Sequence, residues 1–158
     1  MSQPLNRQNF SHTIWHNCEQ SYSINPIFYI NLQDSYHVNI NILLLAQYLD
    51  EQCYMLTQQH WETLTKVIEQ WEASVLQPYR GLRRIAKAHL NSDEYQKMLE
   101  VELIMERKSQ YMLLHKLNLL DGKIIDADDD CDNPEPTNTQ HYLSLFGLDK
   151  SVMAELTS

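Results

Sequence analysis

Residues 40–54, INILLLAQYLDEQCY, carry no charged side chain before Asp50 and are apolar almost all the way round a helical wheel. A helix that is apolar on every side has to be surrounded by other elements of the fold. This segment therefore predicts a central buried helix. Asn39 is its candidate N-cap, because an asparagine side chain can accept a hydrogen bond from the first helical turn.

Two helices are predicted before this segment. An amphipathic pattern runs from about Asn9 to Tyr22 and keeps one apolar face. Asn25 and Pro26 then end this helix and begin the next, since proline suits the first turn of a helix. The second helix is expected to end near Asp34.

Further helices are predicted after the central one. Thr57 is the candidate N-cap of a helix with a regular apolar stripe. Pro78 lies inside this helical pattern and predicts a kink or break near Gln77, because proline removes one backbone hydrogen bond and crowds the preceding turn. Asn91 and Glu94 form a capping-box pattern at the start of a long helix.

Composition and charge set the domain organisation. The chain has 158 residues with only 3 glycines and a formal net charge of −9. Scarce turn formers argue against a many-stranded fold, and most of the acidity falls in residues 121–140. The sequence therefore predicts an all-α fold: a compact bundle of five or six helices over residues 1–120, a flexible acidic linker over 121–138, and a short C-terminal helix or docking peptide over 139–158.

Several functional classes find no support in the sequence. The three cysteines, Cys18, Cys53 and Cys131, are odd in number, widely spaced and without a CxxC motif, so neither a disulfide framework nor a zinc site is indicated. There is no signal-peptide pattern and no segment long enough to span a bilayer. We therefore expect a cytoplasmic protein with no membrane association, no catalytic residues, no metal and no cofactor, and we lean against an enzyme.

The longest helix carries polar residues where a core residue is expected. Glu106 and Gln110 lie in the middle of an otherwise apolar stripe, and an unpaired charge there would be costly. Arg80, Arg83 and Arg84 share one face of the preceding helix. These groups predict either a structural arginine–glutamate pair that joins two helices or a pocket for an anion or small ligand. A nucleic-acid site is the weaker alternative, since few cations are present and the body of the chain is nearly neutral.

The order of several short motifs resembles a known family. They are Leu32-Gln33-Asp34, Asn41-Ile42-Leu43-Leu44, Trp71 followed by Pro78-x-Arg80-x-Leu82-Arg83-Arg84, and Glu102-Leu103 followed by Glu106 and Gln110. The pattern is similar to that of a family of small proteobacterial hypothetical proteins of unknown function, over about Trp15 to Leu117. The resemblance implies an all-helical fold and a cytoplasmic location, and it implies no established activity.

The resemblance and the chemistry single out the same polar positions. This sequence departs from the family pattern at His16, His37 and Asn39, where the family has an acid, a glycine and an acid. We expect the shared polar residues to meet in one buried or half-buried cluster between the third, fifth and sixth helices, with a ligand-binding or structural role. They are Gln33, Asp34, Asn41, Arg80, Arg83, Arg84, Glu102, Glu106 and Gln110.

The C-terminal segment 142–146, YLSLF, is similar to the short QL(S/D)LF peptide by which many bacterial proteins dock on the replication sliding clamp. The leading glutamine of that peptide is Tyr142 in this chain. In this interpretation Leu143, Leu145 and Phe146 are the docking residues. The alternative is a short helix that packs back on the bundle.

Three functions follow from these patterns. The leading interpretation is a non-catalytic interaction or accessory protein with an unidentified protein partner, and a homodimer is left open. The alternative is a protein, enzymatic or not, that binds a small molecule or anion through the arginine–glutamate–glutamine cluster. A sliding-clamp-docking protein is the second alternative.

Overall fold

The computed structural model describes residues 9–125, 136–149, 151 and 154, and over these residues it confirms an all-α fold. None of the helices in these ranges is long and apolar enough to cross a membrane. The helices are α1 (Ile14–Ile24), α2 (Pro26–Tyr36), α3 (Ile40–Glu51), α4 (Gln58–Trp71), α5 (Gln77–Ala86), α6 (Ser92–Leu117) and α7 (Asn138–Ser144). Two short strands, β1 (Tyr54–Met55) and β2 (Lys123–Ile124), complete the described elements.

Helix α3 lies at the centre of the core, as its sequence predicts. Leu43 and Leu45 point to opposite sides of the helix, and both are 0% exposed. Helices α1 and α7 pack on α3, so no side of its middle turns faces water. The predicted N-cap is confirmed, because the Asn39 side chain accepts a hydrogen bond from the backbone N–H of Ile42 at 3.1 Å.

The predicted starts of α4 and α6 are also confirmed. Thr57 and His60 form a reciprocal capping box in which His60 Nδ1 accepts from the Thr57 backbone N–H at 3.2 Å. Asn91 and Glu94 form the second box. Each box satisfies two backbone N–H groups that a helix start would otherwise leave without partners.

The disturbance predicted near Gln77 is a wide turn rather than a break. Residues Glu72–Leu76 form a π-helical stretch that joins α4 directly to α5. Pro78 has no N–H to donate to the preceding turn, and a π turn is one way in which a continuous helix accommodates such a loss. The wide turn brings Glu72 against α6, where it accepts a hydrogen bond from Ser109 Oγ at 3.2 Å.

The β ribbon was not predicted. Strand β2 pairs antiparallel with β1, with Tyr54 opposite Ile124. Gly122 has to be glycine for this approach, because a Cβ atom there would lie 2.2 Å from the Tyr54 ring. Cys53, which precedes the ribbon, is disulfide-bonded, and the number and spacing of the cysteines did not predict this bond.

The segment predicted as an acidic linker, residues 121–138, contacts the bundle at both of its ends. Strand β2 holds the first end, and the buried Asn138 begins α7 at the second. Residues 126–135 of the predicted linker lie outside the described residues, so its flexibility stays a prediction. Residues 123–124 and 138 belong to defined elements of the fold.

Helix α7 packs on the bundle, as the alternative to the docking interpretation of the C-terminal segment expects. Leu143 is 2% exposed, and Leu145 and Phe146 are half-buried against the core. The Tyr142 hydroxyl accepts a hydrogen bond from the Asn39 backbone N–H at 2.9 Å. The Leu143 side chain belongs to the hydrophobic core of the bundle, and docking of this segment on another protein stays a prediction.

Candidate functional site

A cavity of about 810 Å³ lies between two parts of the bundle. One side is formed by α1, α2 and the start of α3, and the other by the π turn, α5 and α6. A volume of this size is within the roughly 300–1,000 Å³ typical of small-molecule sites. All nine polar residues singled out in the sequence line this cavity: Gln33, Asp34, Asn41, Arg80, Arg83, Arg84, Glu102, Glu106 and Gln110.

Two arginine–glutamate pairs join α5 to α6 along the cavity wall. Arg80 Nη2 donates to Glu106 Oε1 at 3.1 Å, and Arg83 donates through Nε and Nη2 to the two carboxylate oxygens of Glu102. Arg83 Nη1 also donates to the Tyr95 hydroxyl at 3.2 Å, and the hydrogen bond to Glu102 is the main reason why the pKa of Arg83 is raised. Because these pairs are partly buried, solvent screens them less than it screens a surface pair.

Three hydrogen bonds connect α6, the start of α3 and the π turn. Gln110 Nε2 donates to Asn41 Oδ1 at 3.2 Å. Glu72 Oε1 accepts from Asn39 Nδ2 at 3.0 Å and from Ser109 Oγ at 3.2 Å. Among the described residues no cation pairs with Glu72, and its second oxygen accepts no hydrogen bond from them.

Four further charged residues line the cavity without an ion pair in the part of the chain that the structure describes. Arg84 and Arg107 belong to α5 and α6, whereas Glu19 and Asp34 belong to α1 and α2. All four are exposed. Among the described residues, the side formed by α1 and α2 therefore carries two unpaired carboxylates, and the side formed by the π turn, α5 and α6 carries two unpaired arginines together with Glu72.

The nine predicted residues thus fall into two groups. Six of them contact one another in pairs, as described above. The other three line the cavity and make no side-chain hydrogen bond within residues 9–125 and 136–149: Gln33, Asp34 and Arg84.

Trp15, Glu72 and Arg107 are among the residues of the cavity wall that the sequence analysis missed. Trp15 is 6% exposed, and its buried indole N–H has no hydrogen-bond partner among the described residues. An unsatisfied buried donor costs about 1–3 kcal/mol. For Glu72 the one available signal was its position in the helical turn before Pro78.

Cys18 lines the same cavity but is poorly suited to nucleophilic chemistry. Its side chain is 3% exposed, and burial, followed by the negative charges of Glu51 and Glu19, raises the pKa of the thiol to about 12. The thiol is therefore protonated at neutral pH, and the thiolate is the reactive form of cysteine.

Comparison with known proteins gives one family match. Residues 13–113 match the model of a family described as protein of unknown function (DUF2390). No curated protein and no solved structure matches the chain. The matched segment contains every residue of the predicted polar cluster, whereas β2 and α7 lie outside it.

Proposed function

The chain belongs to this family of proteins of unknown function, and we propose that its own role is to bind a small organic anion in the cavity between α1–α2 and α5–α6. The observation that carries the proposal is the position of Arg84 and Arg107. Both line the cavity, and neither is neutralised by a carboxylate of the described residues. Because guanidinium groups form paired hydrogen bonds with carboxylates and phosphates, two free arginines on adjacent helices suit a bound anion.

The apolar lining supports an organic ligand rather than a bare inorganic ion. Ile30 and Leu103 line the cavity from opposite sides and are 40% and 43% exposed. A hydrocarbon skeleton between them would remove this apolar surface from water, which is favourable. Arg80 and Arg83 already form ion pairs with glutamates of α6. In this proposal they do not bind the ligand but hold α5 and α6 at a fixed separation.

A thermal-shift experiment on the full chain tests this function. We expect a phosphorylated or carboxylated metabolite to raise the melting temperature, since a ligand at about 100 times its Kd adds about 2.7 kcal/mol to the free energy of unfolding. Arg84→Gln and Arg107→Gln should each weaken binding about tenfold, because each removes a charge-assisted hydrogen bond worth about 1.5 kcal/mol.

Two neighbouring cations serve as matched controls. Lys87 and Lys108 lie on the same stretches of chain as Arg84 and Arg107 but do not line the cavity. Lys87→Gln and Lys108→Gln should therefore leave the stabilisation unchanged. If no anion stabilises the protein, or if the Arg84→Gln/Arg107→Gln variant is stabilised as much as the wild type, the proposed function is wrong.

The second candidate function is a protein contact through α5, and its partner is a second copy of the chain. Leu82 and Ile85 are 57% and 70% exposed, whereas Arg80 and Arg83 on the other face of the helix point into the cavity wall. A helix of a soluble domain normally turns its apolar side to the core, and α5 does the reverse. In a twofold dimer the same surface of each copy forms the interface. Leu82 and Ile85 of one copy would therefore pack against Leu82 and Ile85 of the other, and no second apolar surface is needed.

Light scattering of the purified protein tests the dimer. We expect the wild type to be dimeric and Leu82→Glu and Ile85→Glu to be monomeric, because each places a charge in an apolar interface. Leu119 is 52% exposed and lies outside α5, so Leu119→Glu should leave the dimer intact. A monomeric wild type would refute this candidate and leave the anion-binding proposal unaffected.

A further inference from the structure

Glu72 pairs with no cation of the described residues, and yet its carboxylate is held in place by hydrogen bonds. It is half-buried at the start of the π turn, with Asn39 Nδ2 and Ser109 Oγ both donating to Oε1. Asn39 is itself fixed as the N-cap of α3, and Ser109 is 0% exposed. The fold therefore fixes the position of this negative charge without neutralising it.

The other two half-buried carboxylates of the wall differ from Glu72 in this respect. Glu102 and Glu106 each pair with an arginine of α5. Removing a carboxylate from water without a partner cation is unfavourable, and a bound cation would offset that cost. Glu72 is thus the position on the cavity wall where a positively charged group of a ligand gains most.

The same cavity also carries positive charge, on elements of the fold other than the one that carries Glu72. Arg84 and Arg107 are exposed members of the lining on α5 and α6, whereas Glu72 lies in the π turn and is half-buried. The exposed apolar side chains of Ile30 and Leu103 also belong to the lining. The cavity therefore offers a half-buried negative charge, two exposed positive charges and apolar surface to a single molecule.

We infer that the ligand is zwitterionic, with an ammonium or guanidinium group on Glu72 and a carboxylate or phosphate on Arg84 and Arg107. This inference rests on the proposed function, because it assigns the second pole of the same ligand. Trp15 also lines the cavity, and its buried indole N–H has no partner among the described residues.

Calorimetric titration of the full chain with three matched series of compounds tests the inference. The series are straight-chain ω-amino acids, the carboxylic acids of the same length and the alkylamines of the same length. At the best chain length the amino acid should bind about tenfold more tightly than the carboxylic acid, which corresponds to about 1.4 kcal/mol. The alkylamine should bind more weakly than the amino acid, since it lacks the group for the arginines.

The Glu72→Gln variant tests whether Glu72 is the residue that makes the amino acid bind more tightly than the carboxylic acid. The glutamine keeps an oxygen that accepts from Asn39 and Ser109, so the π turn is retained while the charge is removed. In this variant the amino acid and the carboxylic acid should bind equally, whereas Glu69→Gln, an exposed residue of α4 outside the cavity lining, should keep the preference.

The outcomes separate this inference from the proposed function. If the wild type binds the carboxylic acids as tightly as the amino acids at every length, the zwitterionic ligand is refuted and anion binding stands. If organic anions bind but no ω-amino acid does, the zwitterion is again refuted. If neither these compounds nor the metabolites of the thermal-shift experiment bind, the proposed function fails, and the inference fails with it.

Discussion

Asn138→Ala should lower the free energy of unfolding by about 4 kcal/mol, because it leaves several buried polar groups without partners at about 1–3 kcal/mol each. Asn138 is 0% exposed, and its Oδ1 accepts from the backbone N–H of Leu56 at 2.9 Å and from Trp61 Nε1 at 3.3 Å. Its Nδ2 donates to the Tyr54 carbonyl oxygen at 2.8 Å. The side chain thus connects α7 to β1 and α4, and urea denaturation followed by tryptophan fluorescence measures its contribution.

Gln140→Ala provides the control on the same helix. Gln140 Oε1 accepts from the Thr137 backbone N–H at 2.8 Å in the capping box of α7, so its loss should cost only about 1 kcal/mol. Both variants remove a polar side chain from α7, but only Asn138→Ala removes one from the core. Equal effects of the two substitutions would show that the contacts of Asn138 do not hold α7 on the bundle.

Arg83→Met should destabilise the fold by about 2 kcal/mol, less than the 3–5 kcal/mol seen when a fully buried pair is broken, because this pair is partly exposed. The Arg83 and Glu102 side chains are 18% and 13% exposed. Methionine keeps much of the apolar stem but leaves the Glu102 carboxylate without its cation. The Arg83→Met/Glu102→Gln variant should be more stable than Arg83→Met alone, since no uncompensated charge remains.

The Arg80–Glu106 pair, which also joins α5 to α6, allows a comparison with the Arg83–Glu102 pair. Glu106 is 33% exposed, so Arg80→Met leaves a carboxylate that water can solvate more easily. We expect Arg80→Met to cost about 1 kcal/mol or less, as for surface pairs. If Arg83→Met were as mild as Arg80→Met in urea denaturation, the Arg83–Glu102 pair would not be the stronger link between α5 and α6.

Local sequence signals predicted much of the fold because they act over a few residues. Asn39, Thr57 and Asn91 accept hydrogen bonds from the first turns of their own helices, so the starts of those helices could be inferred from the sequence. Asn138 could not be recognised in this way. Its partner Leu56 lies 82 residues earlier, and no local pattern indicates such a contact.

The cavity was predicted less completely than the helices. Periodicity places Leu103 and Glu106 on one stripe of α6, but it does not tell whether that stripe faces a packed core or open space. Leu103 is 43% exposed in the cavity wall, although its position on the stripe favoured burial. For the same reason, periodicity does not predict that Leu82 and Ile85 of α5 are exposed.

The central claim, that the cavity binds an organic anion, is tested most directly by the indole N–H resonances of the three tryptophans in a ¹H–¹⁵N spectrum. Trp61 and Trp71 donate to Asn138 and to the Met105 carbonyl oxygen, whereas Trp15 lines the cavity and its indole N–H has no partner in the part of the chain that the structure describes. On titration with the anion that stabilises the protein most, the Trp15 resonance should shift while the other two stay in place. A stabilising anion that leaves the Trp15 resonance unmoved would contradict binding in this cavity.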